Sequence, residues 1–94
     1  MIARPFIRVG ARVRTNYETG PYIVRSISAP CTCAAYLRRL NGDDRPSPAH
    51  FHLVVRREGE PRMGDYYLGG FTLDGRSVWG KDRVLDASQM ELFS

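Results

Sequence analysis

Both cysteines and both histidines of this chain fall in one window, CTCAAYLRRLNGDDRPSPAHFH (31–52). Each pair is spaced i, i+2: Cys31 with Cys33, and His50 with His52. Two thiolates and two imidazoles make a tetrahedral zinc donor set, each pair supplying two corners. Four protein ligands leave no position for substrate, so such a zinc site is structural and not catalytic. Two other readings stand beside zinc. The spacing departs from the commoner C-x2-C and H-x3-H, and without metal the four are ordinary core and surface side chains. A Cys31–Cys33 disulfide is the third reading, opposed by the strain of so short a ring.

The elements that must position these residues are short. ARVRT (11–15) alternates around Val13, NYETGP turns the chain, and YIVRSIS (22–28) is β-branched and aromatic. AAYLRRLN (34–41) has helix formers with Tyr36, Leu37 and Leu40 at helical spacing, closed by Asn41-Gly42. Two turns of helix are too few to stand alone, so the expectation is that they pack on the sheet. GDDRPSPA is a proline-broken loop. In HFHLVVRRE (50–58), Phe51, Leu53 and Val55 share one face and His50, His52 and Val54 the other.

A turn at GEPRMG leads into DYYLGGFTL (65–73), where Gly69-Gly70 signals a bulge or bend. Asp74-Gly75 matches a type I′ hairpin turn into RSVW (76–79). KDRVL is a last strand or a helical turn, and the tail packs Met90, Leu92 and Phe93 or frays. The sum is a mainly β domain of five to six strands with one short helix near 34–41. An SH3-like antiparallel barrel or a bent sheet is expected, formed by residues 1–94 as a single domain.

At 94 residues, 43% hydrophobic and 26% charged, the chain is a globular domain small enough to profit from a metal or a partner chain, as monomer or homodimer. No apolar run approaches the roughly 20 residues of a membrane helix, and MIARPFIRVG lacks a signal-peptide core, so a cytoplasmic setting without membrane is expected. No phosphate-loop motif appears, and Asp43-Asp44, Glu58, Glu60 and Ser47 lie in turn-like sequence without a base-and-orienter pattern; the expectation is no enzyme.

Residues 1–57 carry ten Arg against Glu18, Asp43 and Asp44, whereas residues 58–94 are net acidic. Thirteen of the fourteen basic residues are Arg, suited to phosphate, carboxylate or base planes, although GC-rich coding produces the same bias. Arg12, Arg14 and Arg25 fall on two strands expected to pair, with Tyr17 and Tyr22 at their edge and Arg38 and Arg39 on the helix. Together these form a candidate binding face for nucleic acid or an acidic protein surface. Tyr66, Tyr67 and Trp79 are assigned to core or interface.

TNYETGPYIVRSISAPCTC, NGDDRPS, HFHLVV and YYLGGFTLDGRSVWGKDR together resemble short uncharacterised proteins of phages and integrative mobile elements, over about Gly10 to Arg83. The resemblance implies a setting and no specific chemistry: an anti-defence inhibitor of anti-CRISPR type, or a DNA- or RNA-binding accessory factor. The excess of Arg over residues 1–57 argues against an acidic DNA mimic. It favours docking on an acidic or nucleoprotein surface; direct nucleic-acid binding with a structural zinc is the alternative.

Overall fold

The computed structural model describes residues 5–88. The tail contacts expected of Met90, Leu92 and Phe93 lie outside them. Five strands form one antiparallel sheet: β1 (Arg12–Thr15), β2 (Tyr22–Ile27), β3 (Phe51–Arg57), β4 (Asp65–Phe71) and β5 (Val84–Asp86), in the order β4-β3-β2-β1-β5. One short helix, α1 (Tyr36–Leu40), lies between β2 and β3. The sheet is bent and open. Among the described residues β4 and β5 do not pair with each other; the 75–78 segment lies between them, bridging Phe71 through Ser77 and Arg83 through Arg76, so the barrel does not close.

Alternation sets the two faces. Val13 pairs with Tyr22, Val24 with Val55, Leu53 with Ile27 and Leu68, and Val55 with Tyr66. These rows line the inside of the bend, where Ile7, Val13, Tyr22, Val24, Leu53, Val55, Phe71 and Val84 form the core. Each such side chain contributes about 1.5–3 kcal/mol on burial. The opposite face carries Arg12, Ile23, Arg56 and Asp65 in one cross-strand row. Arg56 closes that row with an ion pair to Asp65 at 3.1 Å.

Three expectations change. α1 does not pack on the sheet: none of its residues is buried, and Tyr36, Leu37 and Leu40 are 65%, 71% and 63% exposed. The three apolar side chains share an arc of about 100° on the helix, but that arc faces solvent, and it is buried Ala34 that anchors the chain just before the helix. RSVW is not a strand, since only Arg76 and Ser77 make isolated bridges. The turn at Asp74-Gly75 is not type I′, because Gly75 has positive φ and Asp74 does not. Instead Thr72 accepts from the Gly75 amide and donates to the Arg76 carbonyl, and its hydroxyl bonds Asp74.

The bulge expected at Gly69-Gly70 is present. Phe51 pairs with Phe71 and His52 with Gly69, leaving Gly70 over, at φ +82°. No described helix is long and apolar enough to cross a membrane.

Candidate metal centre

Backbone pairing brings the two halves of the centre together. Cys31 and His50 stand opposite each other in an antiparallel bridge; each amide donates to the other's carbonyl, at 2.8 and 2.9 Å. Their side chains therefore leave the same face. His52 joins them two residues along β3, while Cys33 turns back over Cys31, its amide donating to the Cys31 sulfur at 3.4 Å. One ligand atom from each of the four residues lies within 4.8 Å of the other three.

The spacing fits a tetrahedral ion. Zinc bonds of about 2.3 Å to sulfur and 2.0–2.1 Å to nitrogen hold the two donors about 3.5 Å apart. Cys33 Sγ lies 3.4 Å from His50 Nε2 and 3.3 Å from His52 Nε2. The Cys33 sulfur lies against both imidazoles and also interacts with the Cys31 thiol, and both cysteines are free of a disulfide.

The surroundings prepare the donors. His50 is wholly buried, with Nδ1 2.8 Å from the Pro48 carbonyl. A proton on Nδ1 satisfies that carbonyl and leaves the Nε2 lone pair facing the Cys33 sulfur. Burial, and then the neighbouring His50, push the His52 pKa down, which keeps its ring neutral and able to ligate. Hydrogen bonds from Cys33 lower the Cys31 pKa, while burial and the Cys31 sulfur raise that of Cys33. Without a cation one thiolate is favoured and the second opposed. A divalent cation removes that opposition.

Two glycines and the chain's one tryptophan shape the site. A Cβ on Gly69 would lie 2.7 Å from His52 Nδ1, and one on Gly70 would lie 2.7 Å from Trp79 Cζ3. Their missing side chains are the space the two rings occupy. The Trp79 ring packs edge-on to His50 at 4.9 Å, and its Nε1 donates to Ser47 Oγ at 3.0 Å. Ser47 is buried, donates its amide to the Thr32 carbonyl at 2.9 Å and accepts from Arg38 at 3.4 Å. Sequence reading missed these supports. The only available signals were the Gly-Gly pair, read as a bulge, and the single Trp.

The expected basic face divides. Arg12 is not free for a ligand: it makes a bidentate pair with Glu58 at 2.8 and 3.0 Å and donates to the Ala87 carbonyl, with 16% of its side chain exposed. Tyr22 is 6% exposed and belongs to the core, tilted against Tyr66 at 5.6 Å, so it offers no stacking surface. Its position opposite Val13 puts it on the inner face.

Arg38 is a brace, bonding Asp43, Ser47 and the Arg45 carbonyl. Asp43, expected as a solvated turn residue, is gripped by Arg45 and Arg38, which hold its carboxyl far below the usual range. Arg14, Arg25 and Arg39 form no ion pair among the described residues, and Arg25 and Arg39 are exposed. Tyr17 is 49% exposed, and Tyr67, assigned to core or interface, is 78% exposed.

Comparison with protein-family models, with curated proteins and with solved structures finds no match.

Proposed function

We propose that this chain is a non-enzymatic binding module in which a structural Zn²⁺, held by Cys31, Cys33, His50 and His52, fixes the 31–50 segment and presents α1 to a partner. The convergence of four soft and borderline ligand atoms within 4.8 Å carries this reading. The ion would supply cohesion, because the segment it pins has few apolar anchors of its own.

The exposed faces support docking. Tyr36, Leu37 and Leu40 stand outward on α1, beside unpaired Arg39. An apolar patch edged by arginine suits a partner with an apolar pocket in an acidic surround. Arg14 and Arg25 extend the positive surface on β1 and β2. The resemblance to mobile-element proteins suggests the partner: a host defence nucleoprotein complex in the cytoplasm, occluded as an anti-CRISPR-type inhibitor would occlude it. Occlusion needs shape and charge and no turnover.

Native mass spectrometry of protein purified without chelator, with and without EDTA, tests the metal. One zinc per chain, lost together with the folded charge-state envelope, is expected. An apo mass with an unchanged folded envelope overturns the clasp.

A further inference from the structure

Two clefts meet along the segment from Ser77 to Asp82, each of about 220 Å³. Tyr17, Tyr67 and Trp79 wall the first, with Gly69 between. Arg76, Lys81 and Arg83 line the second. Ser77, Gly80 and Asp82 belong to both, so the clefts are contiguous. Each falls below the roughly 300–1,000 Å³ of a pocket for a drug-sized molecule. One flat ring in the first and one small anion in the second is the scale they suit.

The cationic cleft sets three cations against a single carboxylate, Asp82. Arg76 and Arg83 stand directly opposite each other in an antiparallel bridge, where like charges repel. Neither they nor Lys81 form an ion pair among the described residues. Asp82, the one carboxylate lining this cleft, lines the aromatic cleft as well, and its charge adds to burial in raising the Tyr17 pKa. A phosphate on Arg76, Lys81 and Arg83 would relieve the repulsion.

We propose that the joined clefts bind one nucleotide unit, its base among Tyr17, Tyr67 and Trp79 and its phosphate on Arg76, Lys81 and Arg83. Asp82, at the junction, is placed to accept from a base N–H. That acceptor favours a base over the ring of a phosphotyrosine, which has no donor for it and would be repelled. The base must be unstacked to enter, so the source is a free nucleotide or a single strand and not a duplex. The site is separate from α1 and does not depend on the docking proposed there.

The test uses the fluorescence of Trp79, the one tryptophan of the chain. Zinc-loaded full-length protein is titrated with the four nucleoside 5′-monophosphates, their nucleosides, inorganic phosphate, phosphotyrosine and single-stranded hexanucleotides. Saturable quenching by at least one monophosphate or hexanucleotide is expected, with the matching nucleoside and inorganic phosphate at least about tenfold weaker. A hexanucleotide more than about tenfold tighter than its monophosphate assigns the ligand to a strand, and equal affinities assign it to free nucleotide. Arg76→Ala combined with Arg83→Ala, and separately Tyr67→Ala, should each weaken binding about tenfold, while Tyr67→Phe binds as the parent. These side chains are surface-exposed or partnerless, so the fold and the bound zinc should persist in every variant. No saturable quenching, unchanged affinity in the double Arg variant, or equal affinity for phosphotyrosine would each overturn the proposal.

Discussion

Replacing Gly69 by alanine should weaken zinc binding without straining the backbone. Gly69 is not at positive φ, so alanine adopts its conformation readily. The added Cβ would sit 2.7 Å from His52 Nδ1 and 3.3 Å from Cε1, against about 3.4 Å for ordinary contact. The imidazole must therefore retreat by about 0.7 Å, or β3 and β4 must part. A zinc bond tolerates about 0.2 Å. Disturbing what orients a ligand lowers affinity about 10–100-fold, or about 1.4–2.7 kcal/mol.

Competition against a chromophoric chelator measures that affinity directly, and cobalt substitution reports whether the tetrahedral field survives. Gly42→Ala is the control. A Cβ there meets nothing within 4 Å, but the residue has φ +82°. It should cost about 1 kcal/mol of stability and leave metal affinity unchanged. If Gly69→Ala holds zinc within twofold of the parent, the claim that this glycine makes room for a ligand is refuted.

Arg12→Ala should destabilise the fold by about 1–2 kcal/mol in urea unfolding, because it strands Glu58 and the Ala87 carbonyl, yet leave partner binding intact. Leu37→Asp with Leu40→Asp should change stability by less than about 0.5 kcal/mol, since both are exposed, while abolishing protection of phage from a CRISPR-armed host in an infection assay. Retained protection would remove α1 from the docking surface. The Tyr17 phenol should ionise above pH 10, followed by phenolate absorbance; Asp82→Asn should lower its pKa only in part, because burial is the larger cause. Its folded pKa is raised, so the stability linked to it is intact below pH 10 and declines as pH climbs through the folded value.

Much of the fold was legible because strands announce themselves locally. The alternation at Leu53 and Val55 placed β3 with its correct inner face, and Gly69-Gly70 marked the bulge. The helix was legible in position and not in packing. Tyr36, Leu37 and Leu40 look like a buried stripe, yet only the path of the surrounding loop determines whether a sheet lies under them. At 76–79 a strong turn dipeptide pointed to a hairpin, and Ser77 does return antiparallel to Phe71, but the returning segment makes isolated bridges, to Phe71 and to Arg83, and no strand. The arginines show the same limit: Arg12, Arg14 and Arg25 read alike, and only Arg12 meets a carboxylate, 46 residues away.

The sequence by itself determined the donor set and the strand, β3, at whose start its two histidines lie. Residue type governs which atoms can bind a soft cation, and a period of two puts His50 and His52 on one side of a strand whatever lies around them. Only the tertiary structure decided that Cys31 bridges His50, that Trp79 closes over the imidazoles, and that Arg76 faces Arg83. Those relations join residues distant along the chain. They follow from how the sheet bends and where its loops return, and no local preference encodes either.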